Sequence, residues 1–378
     1  MMPSVERFHD WFVADVLPVW LEKGYDRQNQ SFHERLNFDF TPITHDGKRL
    51  LVQARQIYTY SIFSASIDGA SETALSAFEF MQKKYRHPAG GWCHRVTREG
   101  APLDDSRDLY DQAFAVFVGA VVYRTTGRED ALAVAIDTLG YLEAERAHPA
   151  GGYTEIVSSD GSIHEGPRRQ NPHMHLFEAV LALFEATGDD SFLQWAERLY
   201  ELTCSKFVVN NTLREYFTDT LEPAPGYLGE LVEPGHQMEW VWLLHRYAKV
   251  AKNPSVAVLA GTLYDFVLAY GYDPRTGGLY DELTARGEVR CDDRRLWPQT
   301  EALKAHVARL ENAGDDLAQL RIKDGIDNLF KHHLSGVPGS WREHIRQGGE
   351  NFYGSYPASS LYHLAFAVGE LERIRNGD

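Results

Sequence analysis

His87-Pro88-Ala89-Gly90-Gly91-Trp92 returns as His148-Pro149-Ala150-Gly151-Gly152-Tyr153, 61 residues further along the chain. A looser copy runs from Asp273-Pro274 through Gly277-Gly278 to Tyr280, two periods later. Projecting the period in both directions finds an aromatic beside acidic or basic residues at Phe32, Trp92, Tyr153, Tyr216, Tyr280 and Trp341, in steps of 60 to 64. Six such units fill the 378 residues, a length that would otherwise be too great for one ordinary core.

Each period opens with a long apolar stretch: 50–67, 108–124, 172–187, 235–250, 298–311 and 357–372. Residues apolar on every side predict a buried helix. An amphipathic stretch follows, as over 131–147, where Leu132, Ala135, Ile136, Leu139 and Leu142 share one face. Thr126-Gly127, Thr187-Gly188 and Asn253-Pro254 are turn signals between such inner and outer helices, and the Gly-Gly-aromatic segments join one pair to the next. An open solenoid needs polar capping repeats, and neither end of the sequence reads as one. The expectation is therefore all-α: a single-domain (α/α)6 barrel over 1–378, a closed toroid of six helical hairpins with short β-hairpin connections.

Composition narrows the partners. Asp and Glu number 54 against 38 Lys and Arg, a net charge of −16, which argues against nucleic acid or an anionic membrane. Eight Trp and 19 Tyr suit stacking on uncharged rings such as sugars. Cys93, Cys204 and Cys291 are scattered and predict neither a disulfide framework nor a zinc site. No run approaches the roughly 20 apolar residues of a membrane span, and acidic residues interrupt the opening segment where a signal peptide would be apolar, so a cytoplasmic protein is expected.

Pro172, Pro234, Pro298 and Pro357 recur at one phase and predict helix starts. Just behind them stand polar residues foreign to a buried helix: His175 and Glu178, His236 and Glu239, Gln299 and Glu301, and His363. The first two inner stretches contribute Arg55 and Tyr110-Asp111. Residues at one phase of a ring of inner helices converge on one mouth of its cavity, where helix N-termini disfavour imidazolium and stabilise an anion. Neutral histidines there suit proton transfer. One buried His bonded to a carboxylate at i+3 is more often structural, but three histidines and an arginine at one phase favour a site. Tyr110 and Trp297 read equally as core aromatics or as sugar-stacking rings. His173-Met174-His175 resembles a pair of metal ligands; residues two apart on a helix point about 200° apart, so with Pro172 at the helix start no metal is expected. Asp111, Glu239 and Glu301 could furnish the two carboxylates of a glycosidase, which would leave the histidines idle.

These residues resemble the N-acylglucosamine 2-epimerase superfamily, which includes cellobiose 2-epimerases, mannose isomerases and sulfoquinovose isomerases. The resemblance lies in Gln53-Ala54-Arg55, Asp108 through Phe114, Asn171 through Ala179, Pro234 through Trp240, Trp297 through Glu301 and Ser360 through His363, in order along the chain. It implies an (α/α)6 barrel that works without metal or cofactor, taking C2 of an open-chain aldose to a cis-enediolate. Reprotonation on C1 gives a ketose, and on the other face of C2 an epimer. The family's catalytic histidines match His236 and His363, and its arginine matches Arg55. By family analogy His363 takes the carbon proton and His236 opens the sugar ring; sequence alone permits the reverse. Glu239, three residues after His236, is expected to orient that ring. Tyr110, Asn171, His175, Trp297, Gln299 and Glu301 are expected to bind the sugar. The segments 171–179 and 295–301 are most similar to the mannose and sulfoquinovose isomerases, so the expected reaction is D-mannose, and D-lyxose too, to the ketose. Epimerisation of N-acylglucosamine or of cellobiose, or isomerisation of sulfoquinovose, is the alternative within the family. A glycosidase or a non-catalytic sugar-binding toroid is the alternative outside it. The resemblance also implies a homodimer.

Overall fold

The computed structural model describes residues 2–334 and 336–376. Its helices are α1 (Met2–Asp10), α2 (Leu17–Lys23), α3 (Leu50–Ile62), α4 (Ala70–Lys84), α5 (Leu109–Thr126), α6 (Glu129–Tyr141), α7 (Gln170–Thr187), α8 (Asp190–Leu202), α9 (Pro234–Val250), α10 (Val256–Tyr270), α11 (Leu296–Ala313), α12 (Asp316–His332) and α13 (Ser360–Asn376). Strands of two or three residues lie between them. Among the described residues no helix is long and apolar enough to cross a membrane. Internal contacts gather the chain into two compact units: Leu21–Phe207 with Glu215–Gly229, and the residues up to Trp20 with Val208–Arg214 and those from Glu230 onward.

The first unit holds three helical hairpins, α3/α4, α5/α6 and α7/α8, and α5 packs against both α3 and α7. Every residue of α5 from Asp111 to Val122 is buried, as its all-round apolar sequence requires. Outer helix α8 buries only Phe192, Ala196 and Leu199, one stripe at helical spacing. Gly119 makes the α5/α6 approach possible, because a Cβ there would stand 2.7 Å from the Ala131 carbonyl oxygen. Gly127 and Gly188, both at φ 71°, end α5 and α7 in the left-handed conformation that the Thr-Gly signals predict.

The second unit contains α9/α10 and α11/α12, with α11 packed against both α9 and α13. The partner of α13 comes from the start of the chain, since α1 packs on α13 and on α12. Stacking of Trp20 on Trp341, with ring centroids 5.3 Å apart, fastens this N-terminal segment to the last connection.

The repeated aromatic segments have a structural duty in both units. Gln53 accepts from the Phe32 N–H and donates to the Phe32 carbonyl, each at 2.8 Å, and Gln112 does the same to Trp92 at 2.9 Å. His173 Nε2 accepts from the Tyr153 N–H at 3.1 Å. In the second unit Gln299 accepts from Leu279 N–H at 2.8 Å and donates to its carbonyl at 3.1 Å. Each latch ties a connection to the first turn of the following inner helix, 20 or 21 residues on. The acidic member of the segment then holds the arginine just before that helix: Glu34 holds Arg49, Glu155 holds Arg169, and Asp281 holds Arg295.

Two expectations change here. Pro234 does begin α9, but α7 begins at Gln170 and α11 at Leu296, so Pro172 and Pro298 are third residues; Pro357 lies in the strand before α13. The first helical N–H groups have no intrahelical acceptor, so proline fits at any of these positions. Gln299, expected to bind sugar, spends its carboxamide on Leu279 and on the Arg295 carbonyl.

Candidate active site

In the second unit the candidate residues lie in the opening turns of α9, α11 and α13. Trp297, half-buried, packs against both His236 and His363, with centroids 4.9 and 5.7 Å away and ring planes inclined by 40° and 39°. Gly235 gives the indole its room: a Cβ there would meet the Trp297 ring at 2.7 Å and Pro298 Cβ at 2.8 Å. His363 Nδ1 is 2.7 Å from Glu301 Oε1. A histidine held this way carries its proton on Nδ1 and presents Nε2 as a base, the tautomer being inferred from the carboxylate partner. Glu301 is wholly buried, and its second oxygen Oε2 is 2.6 Å from Lys304 Nζ, also wholly buried.

Glu239 does not take the expected place. The carboxylate beside His236 Nδ1 is Glu233 Oε2, at 3.8 Å. Glu239 instead reaches the other histidine, with ligand-type atoms of Glu239, Glu301 and His363 all within 4.8 Å of one another. Its Oε1 is buried without a hydrogen-bond partner, as an acceptor kept for a substrate hydroxyl would be. Lys304 already brings a cation to this cluster.

In the first unit Arg55, Tyr110, His175 and Glu178 form a chain. Arg55 Nη2 donates to Tyr110 Oη at 3.0 Å, Tyr110 Oη lies 3.2 Å from His175 Nε2, and His175 Nδ1 is 3.0 Å from Glu178 Oε2. The guanidinium also stands over the Phe114 ring, 4.8 Å from its centroid. The His175–Glu178 pair at i+3 is the one expected from sequence. Asn171, half-buried on the first turn of α7, keeps Oδ1 buried without a partner. His173 lies elsewhere: Tyr153 N–H and the Arg169 carbonyl occupy its two nitrogens, and burial lowers its pKa to about 3. The metal-ligand reading of His173-Met174-His175 therefore fails.

Asp111, one carboxylate of the glycosidase alternative, is a structural group. Its Oδ1 accepts from Leu51 N–H at the start of α3, and its Oδ2 is 2.7 Å from His94 Nδ1. Burial pushes its pKa up to about 6, and hydrogen bonding to Asp111 raises that of His94.

A family model described as N-acylglucosamine 2-epimerase (GlcNAc 2-epimerase) matches residues 31–367. The chain belongs to the N-acylglucosamine 2-epimerase family. A Rhizobium meliloti protein named mannose-6-phosphate isomerase is 32% identical over 379 residues, 96% of this chain and 95% of the relative. The D-mannose isomerase of Marinomonas mediterranea is 26% identical over 312 residues, 78% of each chain. Among solved structures, cellobiose 2-epimerase from Bacillus thermoamylovorans superposes with a TM-score of 0.90 at 20% identity, covering 99% of this chain and 100% of that one. The fold is the (α/α)6 barrel of the N-acylglucosamine 2-epimerase family, as the six-fold period predicts. This is a family of sugar isomerases and epimerases.

Proposed function

We propose that the chain, acting as one domain, is an aldose–ketose isomerase that interconverts D-mannose and D-fructose, accepting D-lyxose too, through a cis-enediolate. The observation that carries the reading is the pair of histidines packed against Trp297, one of them backed by Glu301. Removing a proton beside a carbonyl needs a base poised near neutrality and donors for the oxyanion that develops. His363 Nε2 takes the C2 proton and returns it to C1. His236 opens the pyranose and moves hydroxyl protons. Arg55 meets the enediolate oxygens with the donors of its planar fork. Trp297, Tyr110, Asn171 and His175 hold the sugar, and Glu239 accepts a hydroxyl. The base, the acid and the oxyanion donors are all protein groups, so the step needs no metal.

Relatives named for mannose and mannose 6-phosphate support isomerisation on the mannose skeleton. Charge favours the unphosphorylated sugar. Arg49, Arg169 and Arg295, next to the starts of α3, α7 and α11, are each bonded to carboxylates: Glu34; Glu155 and Asp108; Glu233 and Asp281. A phosphate or sulfonate would have to displace these anions. Epimerisation is the second reading, supported by the likeness to cellobiose 2-epimerase. EDTA-treated protein offered mannose, lyxose, glucose, mannose 6-phosphate and cellobiose should form ketose fastest from mannose. Epimer without ketose, or no ketose from any of these sugars, would reject the isomerase reading.

A further inference from the structure

The reaction above gives Lys304 no work. It sits in the middle of α11, wholly buried, with Nζ 2.6 Å from Glu301 Oε2. Two rings hold the ammonium, Trp242 of α9 with its centroid at 3.9 Å and Phe366 of α13 at 4.7 Å. A lysine so far from water survives as a cation only where an anion and aromatic faces replace its hydration. The anion it meets is the carboxylate that meets His363 through its other oxygen, at 2.7 Å.

We propose that Lys304 is a positioning residue: its ammonium keeps Glu301 ionised, and Glu301 in turn keeps the proton of His363 on Nδ1 and leaves Nε2 as the base. This rests on the isomerase reading of His363. The titratable and charged groups near the pair stand on α9, α12 and α13. Glu239 of α9 lies within 4.8 Å of Glu301 and His363, His236 of α9 and His363 both pack against Trp297, and Arg246 of α9 stands over the ring that also receives Lys304. From α12, Arg321 is directed to Asp315 and Tyr264. With Glu239 and Glu301 both anionic, the cluster binds a further proton readily, and that proton would convert His363 to an imidazolium unable to act as a base. The ammonium opposes its uptake.

Removing the charge should therefore move the acid limb of the kcat/KM profile upward. Lys304→Met and Lys304→Gln should each raise it by about one pH unit or more, a tenfold loss or greater at pH values on that limb. Lys304→Arg should leave the limb within a few tenths of a unit. A group that only packs would lower stability and leave the limb in place, and an unmoved limb in folded Lys304→Met and Lys304→Gln overturns the proposal. Should neither variant fold, nitrogen-15 spectra of the parent protein's histidines decide: His363 should hold its proton on Nδ1 at neutral pH, and the Nε2–H tautomer overturns the proposal. The same spectra separate the two readings. A parent protein that turns over no aldose sinks the isomerase while the tautomer of His363 and its titration in Lys304→Met still test the relay.

Discussion

Gln299→Leu sets the sequence reading of one residue against the structural one. Gln299 makes two hydrogen bonds to Leu279, whose side chain is fully buried, and a third to the Arg295 carbonyl at 3.1 Å. Leucine fills nearly the same volume but leaves the Leu279 N–H and carbonyl without their latch. At about 1 kcal/mol for each bond, and somewhat more where a buried group is stranded, the cost comes to about 2–4 kcal/mol. An unfolding entropy of about 2.1 cal/mol/K per residue over this length converts that to a Tm lower by about 3–5 °C. Differential scanning calorimetry reads the shift, and initial rates of ketose formation from mannose, taken well below the transition, read the site. The expected result is the lower Tm with kcat/KM within about threefold of the parent. An unchanged Tm with a loss beyond tenfold would show that Gln299 addresses the sugar, and would refute the latch.

The other predictions bear on both units. Tyr110→Phe removes the hydroxyl shared by Arg55 and His175, and should lower kcat/KM by about 10- to 100-fold, the worth of a hydrogen bond to a charged group, with little change in Tm. Gly235→Ala drives a methyl into Trp297 and Pro298; overpacking of about 1–3 kcal/mol should appear as a lower Tm and a disturbed tryptophan spectrum, and a parent-like spectrum with full activity would contradict the close approach. The His94 pKa is raised by its bond to Asp111, so its stabilisation is fully present below the unfolded value of about 6.5 and is lost as pH rises through the folded value. Urea unfolding from pH 6 upward should show that decline in the parent and not in His94→Asn.

Much of this was legible because turns have strong chemistry. Gly90-Gly91 and Gly151-Gly152 all need positive φ, so the connections repeat almost letter for letter while the helices between them drift. The His175–Glu178 pair was legible because both ends lie on one helix. Contacts decided between helices were not. Glu239 follows His236 by three residues, yet it lies within 4.8 Å of Glu301 and His363, while the carboxylate beside His236 Nδ1 is Glu233. A polar group in a buried helix usually marks a site, which is why the sequence suggests a sugar ligand at Gln299; the signal for its real duty is its place, 20 residues after Leu279, matching Gln112 after Trp92. Lys304 lay three residues beyond Glu301 in a stretch read as simply apolar. A charge pair at that spacing inside a buried helix was the clue.

The account stands or falls on proton transfer between C2 and C1. Incubation of the protein with D-mannose in deuterated water, after EDTA treatment, tests it most directly, with the sugars resolved by NMR. The expected result is D-fructose carrying deuterium at C1, together with recovered mannose exchanged at C2, and loss of both signals in His363→Ala. An aldose epimer labelled at C2 with no ketose, or no incorporation into any sugar by the folded protein, would contradict the isomerase.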